Sequence, residues 1–325
     1  METWNSVVRF GLKRAYHYIE KNPEENLPRL MDWVDRFAGE RLNSFPSQRR
    51  AIREAVNDQK SPMHELILNI LHETDTEVLK EVFENFFLNA NLVGRTRREE
   101  AGRQYHCKIP WAIHLTASEK GRYLSFDELD AMILQGKELG IYMYIYSDAE
   151  PLEHKQDLVA ISRKHHECQF LAFTDGRWMD EELADIMLEV KNIVLAIRDG
   201  ETEGTTDEKY DAVAFEKKGQ AMELLKRKKL PFGIGCSFDQ KNLAFYCSDE
   251  YLDQIIRWGA KFIWYIPEKS GESGSGMTQE QSAFLRERMR KIRETKPIFA
   301  AALQIDEEDT VKIPQPMDHV HCGIS

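Results

Sequence analysis

The sequence predicts an α/β protein, a partial, open, TIM-like parallel β/α barrel preceded by an all-α N-terminal module. Three observations carry that prediction. Seven short apolar runs recur between residues 107 and 305, and a helical pattern separates each from the next. The runs are apolar almost throughout instead of alternating, as strands covered on both faces are. Strand–helix alternation of this kind builds parallel sheets with right-handed crossovers. A closed eight-stranded barrel takes roughly 250 residues, and the region is shorter, so a partial barrel is favoured over a complete one. A flat doubly wound sheet is the alternative. It is weakened because no G-x-G-x-x-G follows any of the runs.

In chain order, residues 1–106 form the helical module. Trp4, Val7, Val8, Phe10, Leu12 and Tyr16 mark a first amphipathic stretch, and Asn22-Pro23 breaks it. Leu27, Leu30, Met31, Trp33, Val34 and Phe37 recur at helical spacing. Ser61-Pro62 opens a further helix, since proline suits the first helical position. Asp75 is the expected N-cap of the next, which carries Val78, Val82, Phe83 and Phe86. Arg95, Arg97 and Arg98 stand among glutamates and read as a solvated face.

The barrel occupies 107–305 and a tail 306–325. Its runs are 111–116, 141–147, 168–174, 192–198, 232–238, 261–266 and 297–303, with helices expected near 125–139, 155–165, 180–190, 207–229, 248–258 and 278–295. Ser125 with Glu128, and Thr278 with Gln281, are capping boxes. Gly140, Gly200 and Gly259 stand where helix C-caps or turns belong. His165-His166 ends a helix, where a cationic imidazole suits the dipole.

The composition narrows the function classes. Net charge is −11, so phosphate backbones and anionic membrane surfaces are disfavoured partners. No basic segment leads into a continuous apolar run, and charges interrupt every apolar stretch, so a cytoplasmic protein is expected. Five cysteines, at 107, 168, 236, 247 and 322, form no CxxC or CxxxCxxC. That spacing argues against a disulfide framework, a structural zinc site and a cysteine-held cluster. The tail Asp318-His319-Val320-His321-Cys322 offers too few ligands for a zinc site and reads as a terminus. The glycines of 270–276 make only a weak phosphate-loop signal, with no Lys-Ser/Thr after them.

Parallel strands bind ligands at their C-terminal ends. Those ends bring His114 and Thr116, Ser147, Asp148 and Glu150, Thr174 and Asp175, Arg198 and Asp199, Ser237 and Asp239, and Tyr265 and Glu268 to one rim. Carboxylates crowded around an arginine suit an amine-bearing or cationic ligand. Strand-to-loop turns favour Asp and Ser in any case, and the two explanations weigh evenly.

Several segments resemble the radical S-adenosylmethionine enzymes. They are Trp111-Ala-Ile, the run from Gln135 through Ser147 to Leu152, Phe170–Gly176, Leu225–Gly233, Gly259–Trp264 and Thr295–Phe299. The resemblance covers most of the chain and is strongest between 107 and 300. It implies the partial barrel already expected, with Ser147, Glu150, Thr174, Asp175, Arg198 and Ser237 as cofactor-binding positions. Three departures qualify it. The family carries CxxxCxxC after the first strand to hold a [4Fe–4S] cluster, whereas residues 116–125 here contain no cysteine. The family's Gly-Gly-Glu-Pro is Asp148-Ala149-Glu150-Pro151, and side chains at the two glycine positions obstruct close approach. Many relatives continue into a cysteine-rich domain, whereas this chain ends at Ser325.

The expected function is therefore that of a non-catalytic relative. It has no catalytic or metal residues assigned and no [4Fe–4S] cluster, and it binds a small molecule or a partner protein such as an intact radical S-adenosylmethionine enzyme. Residual binding of S-adenosylmethionine or a derivative is the second reading. The third is a cluster-independent enzyme using the acidic mouth, with Glu150 or Asp175 as base and Arg198 as electrostatic stabiliser.

Overall fold

The computed structural model describes residues 57–115, 124–146, 150–199, 208–239, 241–267 and 278–302, with Tyr18, Lys21, Asn26 and Arg53. The N-terminal amphipathic stretches, Gly200, the glycines of 270–276 and the His-Val-His-Cys tail lie outside these residues.

Seven strands form one parallel sheet in sequential order, β1 to β7. They are β1 Ala112–Leu115, β2 Met143–Tyr146, β3 Gln169–Thr174, β4 Ile193–Asp199, β5 Phe232–Phe238, β6 Phe262–Pro267 and β7 Phe299–Ala302. Because β1 and β7 do not pair, the sheet is a curled, open half-barrel. The sequence-predicted alternation holds run for run, as parallel pairing with crossover helices requires.

The helical module contributes α1 Pro62–Glu73, α2 Thr76–Phe83, a π-helix Glu84–Val93 and α3 Gly94–Tyr105. The crossovers are α4 Phe126–Leu139, α5 Lys155–Lys164, α6 Glu181–Val190, α7 Glu208–Arg227, α8 Asp249–Trp258 and α9 Gln279–Thr295. The expected caps form. Asp75 accepts from the N–H groups of Glu77 and Val78, each at 3.0 Å. Ser125 and Thr278 both close reciprocal capping boxes with the residue three positions on. Gly140 ends α4 at φ 87°, and a Cβ there would lie 2.4 Å from the Gly94 carbonyl, so only glycine fits.

The module closes the N-terminal end of the barrel. Asn85 and Asn89 on the π-helix donate to the carbonyls of His166 (2.7 Å) and Glu167 (2.9 Å), just before β3. The Asp75 N–H donates to the Lys229 carbonyl at 2.7 Å, and Lys261 pairs with Glu73. Phe86 meets Trp111 edge to face at 5.8 Å.

Two sequence expectations are corrected at this floor. Arg98 is buried, not solvated: its Nη1 donates to the Ala90 carbonyl at 2.9 Å and the Gly140 carbonyl at 2.7 Å. Burial, reinforced by the neighbouring Arg95, pulls its pKa down to about 10. Arg95 does sit on the exposed face, paired with Glu99 at 2.7 Å. His165 is not a cationic cap either. It is 1% exposed, and burial and then Lys137 push its imidazole below the ordinary value. Lys137 Nζ lies 3.1 Å from Nδ1, and since lysine only donates, the imidazole proton belongs on Nε2, 2.9 Å from Asp130.

Candidate functional site

Successive side chains on a strand point to opposite faces, and the register sorts the rim residues into two groups. Tyr144 donates to the Ile133 carbonyl of α4, and Cys236 meets Tyr251 of α8, so their face of the sheet is the helix-covered outer one. His114, Ile145, Phe173, Ala196, Arg198, Gly235, Ser237 and Trp264 alternate with them and line the inner, concave face. Phe173 packs edge to face on Trp264 at 6.0 Å. Its ring fills the room a side chain at residue 235 would take, since a Cβ on Gly235 would stand 2.5 Å from Phe173 Cδ1. The barrel centre is therefore packed. Trp264 is 9% exposed, and its indole N–H finds no acceptor among the described residues.

Glu150 follows β2 and is 8% exposed. Its carboxylate is bound entirely to its own chain. Oε1 accepts from the Thr174 hydroxyl at 2.6 Å and from the Leu152 N–H at 3.1 Å. Oε2 accepts from the Asp175 N–H at 2.8 Å. Thr174 Oγ1 in turn accepts from the Gly176 N–H at 3.0 Å. Burial raises the Glu150 carboxyl above its ordinary range, and the Thr174 and Asp175 hydrogen bonds oppose that rise. Together these bonds latch the loop after β2 to the end of β3. Pro151 then starts a short 3₁₀ turn, Pro151–His154, with Glu150 as its cap.

The structure thus brings Glu150, Thr174 and Asp175 together, but on the outer side of the mouth. Asp175 Oδ2 pairs with Arg177 Nε at 2.7 Å, within its own loop. Arg198 and Ser237 stand apart from them on the inner face, and Arg198 donates to the Phe173 carbonyl through Nη2 (2.8 Å) and Nε (3.2 Å). Asp199 faces the helices, where Tyr251 donates to it at 2.7 Å and Lys218 lies at 3.3 Å. Ser147 and Asp148, with Thr116 and Glu268, lie outside the described residues. Strand alternation was the signal that would have separated Arg198 from Thr174, and it also points to Phe173 and Trp264, which sequence reasoning passed over.

The four described thiols are not gathered at one place. Cys168 lies at the floor, Cys236 on the outer face of β5 and Cys247 just before α8, all buried, while Cys107 is exposed. Burial pushes the Cys168 and Cys236 thiols up strongly and that of Cys247 up to about 11, as apolar surroundings do. Among the described residues no three His, Cys, Asp or Glu side chains are grouped to hold a metal ion. Among the same residues no helix is long and apolar enough to cross a membrane.

This geometry defines an open parallel β/α half-barrel with a packed centre and a self-latched mouth. Comparison with solved structures finds Streptococcus suis SuiB bound to S-adenosylmethionine, at TM-score 0.47 and 10% identity over 66% of this chain and 56% of that one. It also finds a domain of pyruvate-formate lyase-activating enzyme from Bacteroides vulgatus, at TM-score 0.34 and 16% identity over 49% of this chain and 96% of that one. A 3-dehydroquinate dehydratase from Geobacillus kaustophilus matches at TM-score 0.39 and 7% identity, over 59% of this chain and 72% of that one. Radical S-adenosylmethionine enzymes are thus among the structures this chain is similar to. The chain spans little more than half the length of the SuiB chains it matches. The likeness is one of fold and carries no residue's role across. No protein-family model and no curated protein matches the chain.

Proposed function

We propose that this chain is a radical S-adenosylmethionine-type barrel that works without a [4Fe–4S] cluster, as a non-catalytic protein that binds a small molecule or a partner protein at its mouth. An intact radical S-adenosylmethionine enzyme is the partner class proposed, and the cytoplasm its place of action. The observation that carries this reading is the missing donor set. The segment after β1 has no cysteine, and no two cysteines of the chain stand closer than eleven positions apart. Three irons need three soft thiolates close together, and no other side chain of residues 116–125 replaces them.

The Glu150 latch supports the same reading. A carboxylate already holding three donors has little capacity left for a ligand's amine. Arg198 and Ser237 on the inner face are the positions proposed to meet a ligand. Protein incubated anaerobically with iron and sulfide, then given dithionite and S-adenosylmethionine, is expected to release no 5′-deoxyadenosine above a protein-free blank. Turnover of S-adenosylmethionine would overturn the proposal. Calorimetry with S-adenosylmethionine separates the second reading, retained binding without cleavage. Heat that saturates at one site and weakens in Arg198→Ala would favour that reading, and no heat favours the first.

A further inference from the structure

A second cleft lies on the outer, helix-covered side of the sheet and reaches the mouth only at the end of β4, where Arg198 and Asp199 are among its lining residues. Between α7 and α8, over the outer face of β4 and β5, is a cleft of about 350 Å³. Its floor is apolar, formed by Ile197, Ile234, Met222 and Trp258. Phe215 stands at its edge with 66% of its surface exposed, a large ring without cover. At the inner end, Asp199 pairs with Lys218 and accepts a hydrogen bond from Tyr251.

The rim is cationic in a chain of net charge −11. Lys226 and Arg257 both line the cleft, and neither has a carboxylate within 4.0 Å among the described residues. Lys226 gives one of its three N–H donors to the Arg257 carbonyl, at 3.3 Å. Glu223 is the other acidic side chain of the cleft and lies on the exposed side of α7.

Gly219 adds an independent observation. It sits inside α7, where glycine costs about 1 kcal/mol against alanine. Nothing lies within 4 Å of where its Cβ would be, so no packing inside the described structure requires it. It lines the same cleft. A bare helix wall beside an apolar floor and two cations without a carboxylate partner among the described residues suits a flat apolar body with an anionic head.

We propose that this cleft binds a small amphipathic anion, an aromatic carboxylate or sulfonate, with its ring between Phe215 and the floor and its charge at Lys226 and Arg257. The volume is at the lower end of ligand sites, roughly 300–1,000 Å³, which sets the ligand at one or two rings.

The probe is 1-anilinonaphthalene-8-sulfonate, followed by its fluorescence on the folded full chain, with its uncharged analogue N-phenyl-1-naphthylamine beside it. One saturable site is expected, at least tenfold tighter for the sulfonate. Lys226→Glu combined with Arg257→Glu should weaken the sulfonate tenfold or more and leave the neutral dye within twofold. Gly219→Leu should abolish binding of both while keeping the denaturation midpoint at or above wild type, because the leucine enters open space and improves the helix. Unchanged sulfonate affinity in either variant, or equal affinity for the two dyes in wild type, overturns the proposal.

Discussion

The two ends of this half-barrel use polar groups in different ways. At the floor, buried side chains reach across the sequence to cap carbonyls. Arg98 holds the Ala90 and Gly140 carbonyls, and Asn192 holds those of Ser162, His165 and Cys168. At the mouth the bonds are partly exposed: Asp175 pairs with Arg177 inside its own loop, and Arg198 reaches the Phe173 carbonyl on the neighbouring strand. Glu150 is the exception, a floor-like buried latch placed at the mouth. The difference teaches that polarity at the mouth is no measure of a reactive site. Most of the carboxylates that make this rim look acidic are already satisfied.

Substitutions test that contrast, and the largest effect belongs to the packed centre between the two ends. Phe173→Ala should cost about 4 kcal/mol in urea unfolding, since a fully buried ring leaves a cavity against Gly235 and Trp264. At the floor, Arg98→Met should cost about 3 kcal/mol by stranding two buried carbonyls. A loss below about 1 kcal/mol would return Arg98 to the solvated face the sequence suggested.

At the mouth, Thr174→Val should cost about 2 kcal/mol, because the Glu150 carboxylate and the Gly176 N–H each lose a partner. The lost bond favoured the ionised form, so the Glu150 carboxyl rises further. The penalty should therefore be larger at pH 8 than at pH 5, where protonation relieves it. An equal cost at both pH values would mean the carboxyl stays protonated throughout or is not the partner.

The floor should show the opposite pH trend. Burial and Lys137 hold His165 below its ordinary value of 6.5, so its contribution is complete above that pH. It is lost as pH falls from there toward the lowered folded value, because the unfolded chain takes up the proton first. Asp130, held down mainly by Lys164, and Glu167, where burial is outweighed by Lys137, a backbone hydrogen bond and His166 together, extend that loss to lower pH. Unfolding midpoints measured from pH 7.5 to 5.5 should decline by at most about 1.4 kcal/mol per pH unit for one proton. His165→Gln should flatten the upper part of that decline. The smallest effect is expected at Arg95→Ala, within about 0.5 kcal/mol, since exposed ion pairs contribute little.

The strands, the crossover helices and their caps were legible because local chemistry sets them. Ser125, Thr278 and Asp75 each act through neighbours a few residues away, as does the Gly140 N–H that closes its helix on Gly136 and Lys137. The burial of Arg98 and His165 was not legible. Each is flanked by charged residues, and the carbonyls and side chains they meet lie as many as 42 positions away. The described rim residues do follow strand ends, but a one-dimensional list does not separate inward Arg198 from outward Thr174. Counting by two from Phe173 along β3 would have done so, since Thr174 must then face the helices. The Glu150 latch joins residues 24 positions apart, a pairing no local pattern encodes.

The central claim, a barrel with no seat for iron, is tested most directly by iron and acid-labile sulfide counts on desalted protein after anaerobic reconstitution, with EPR of the reduced sample. The account predicts well under one iron per chain and no low-temperature signal from a reduced cluster. Close to four irons and four sulfides per chain, with such a signal, would contradict it.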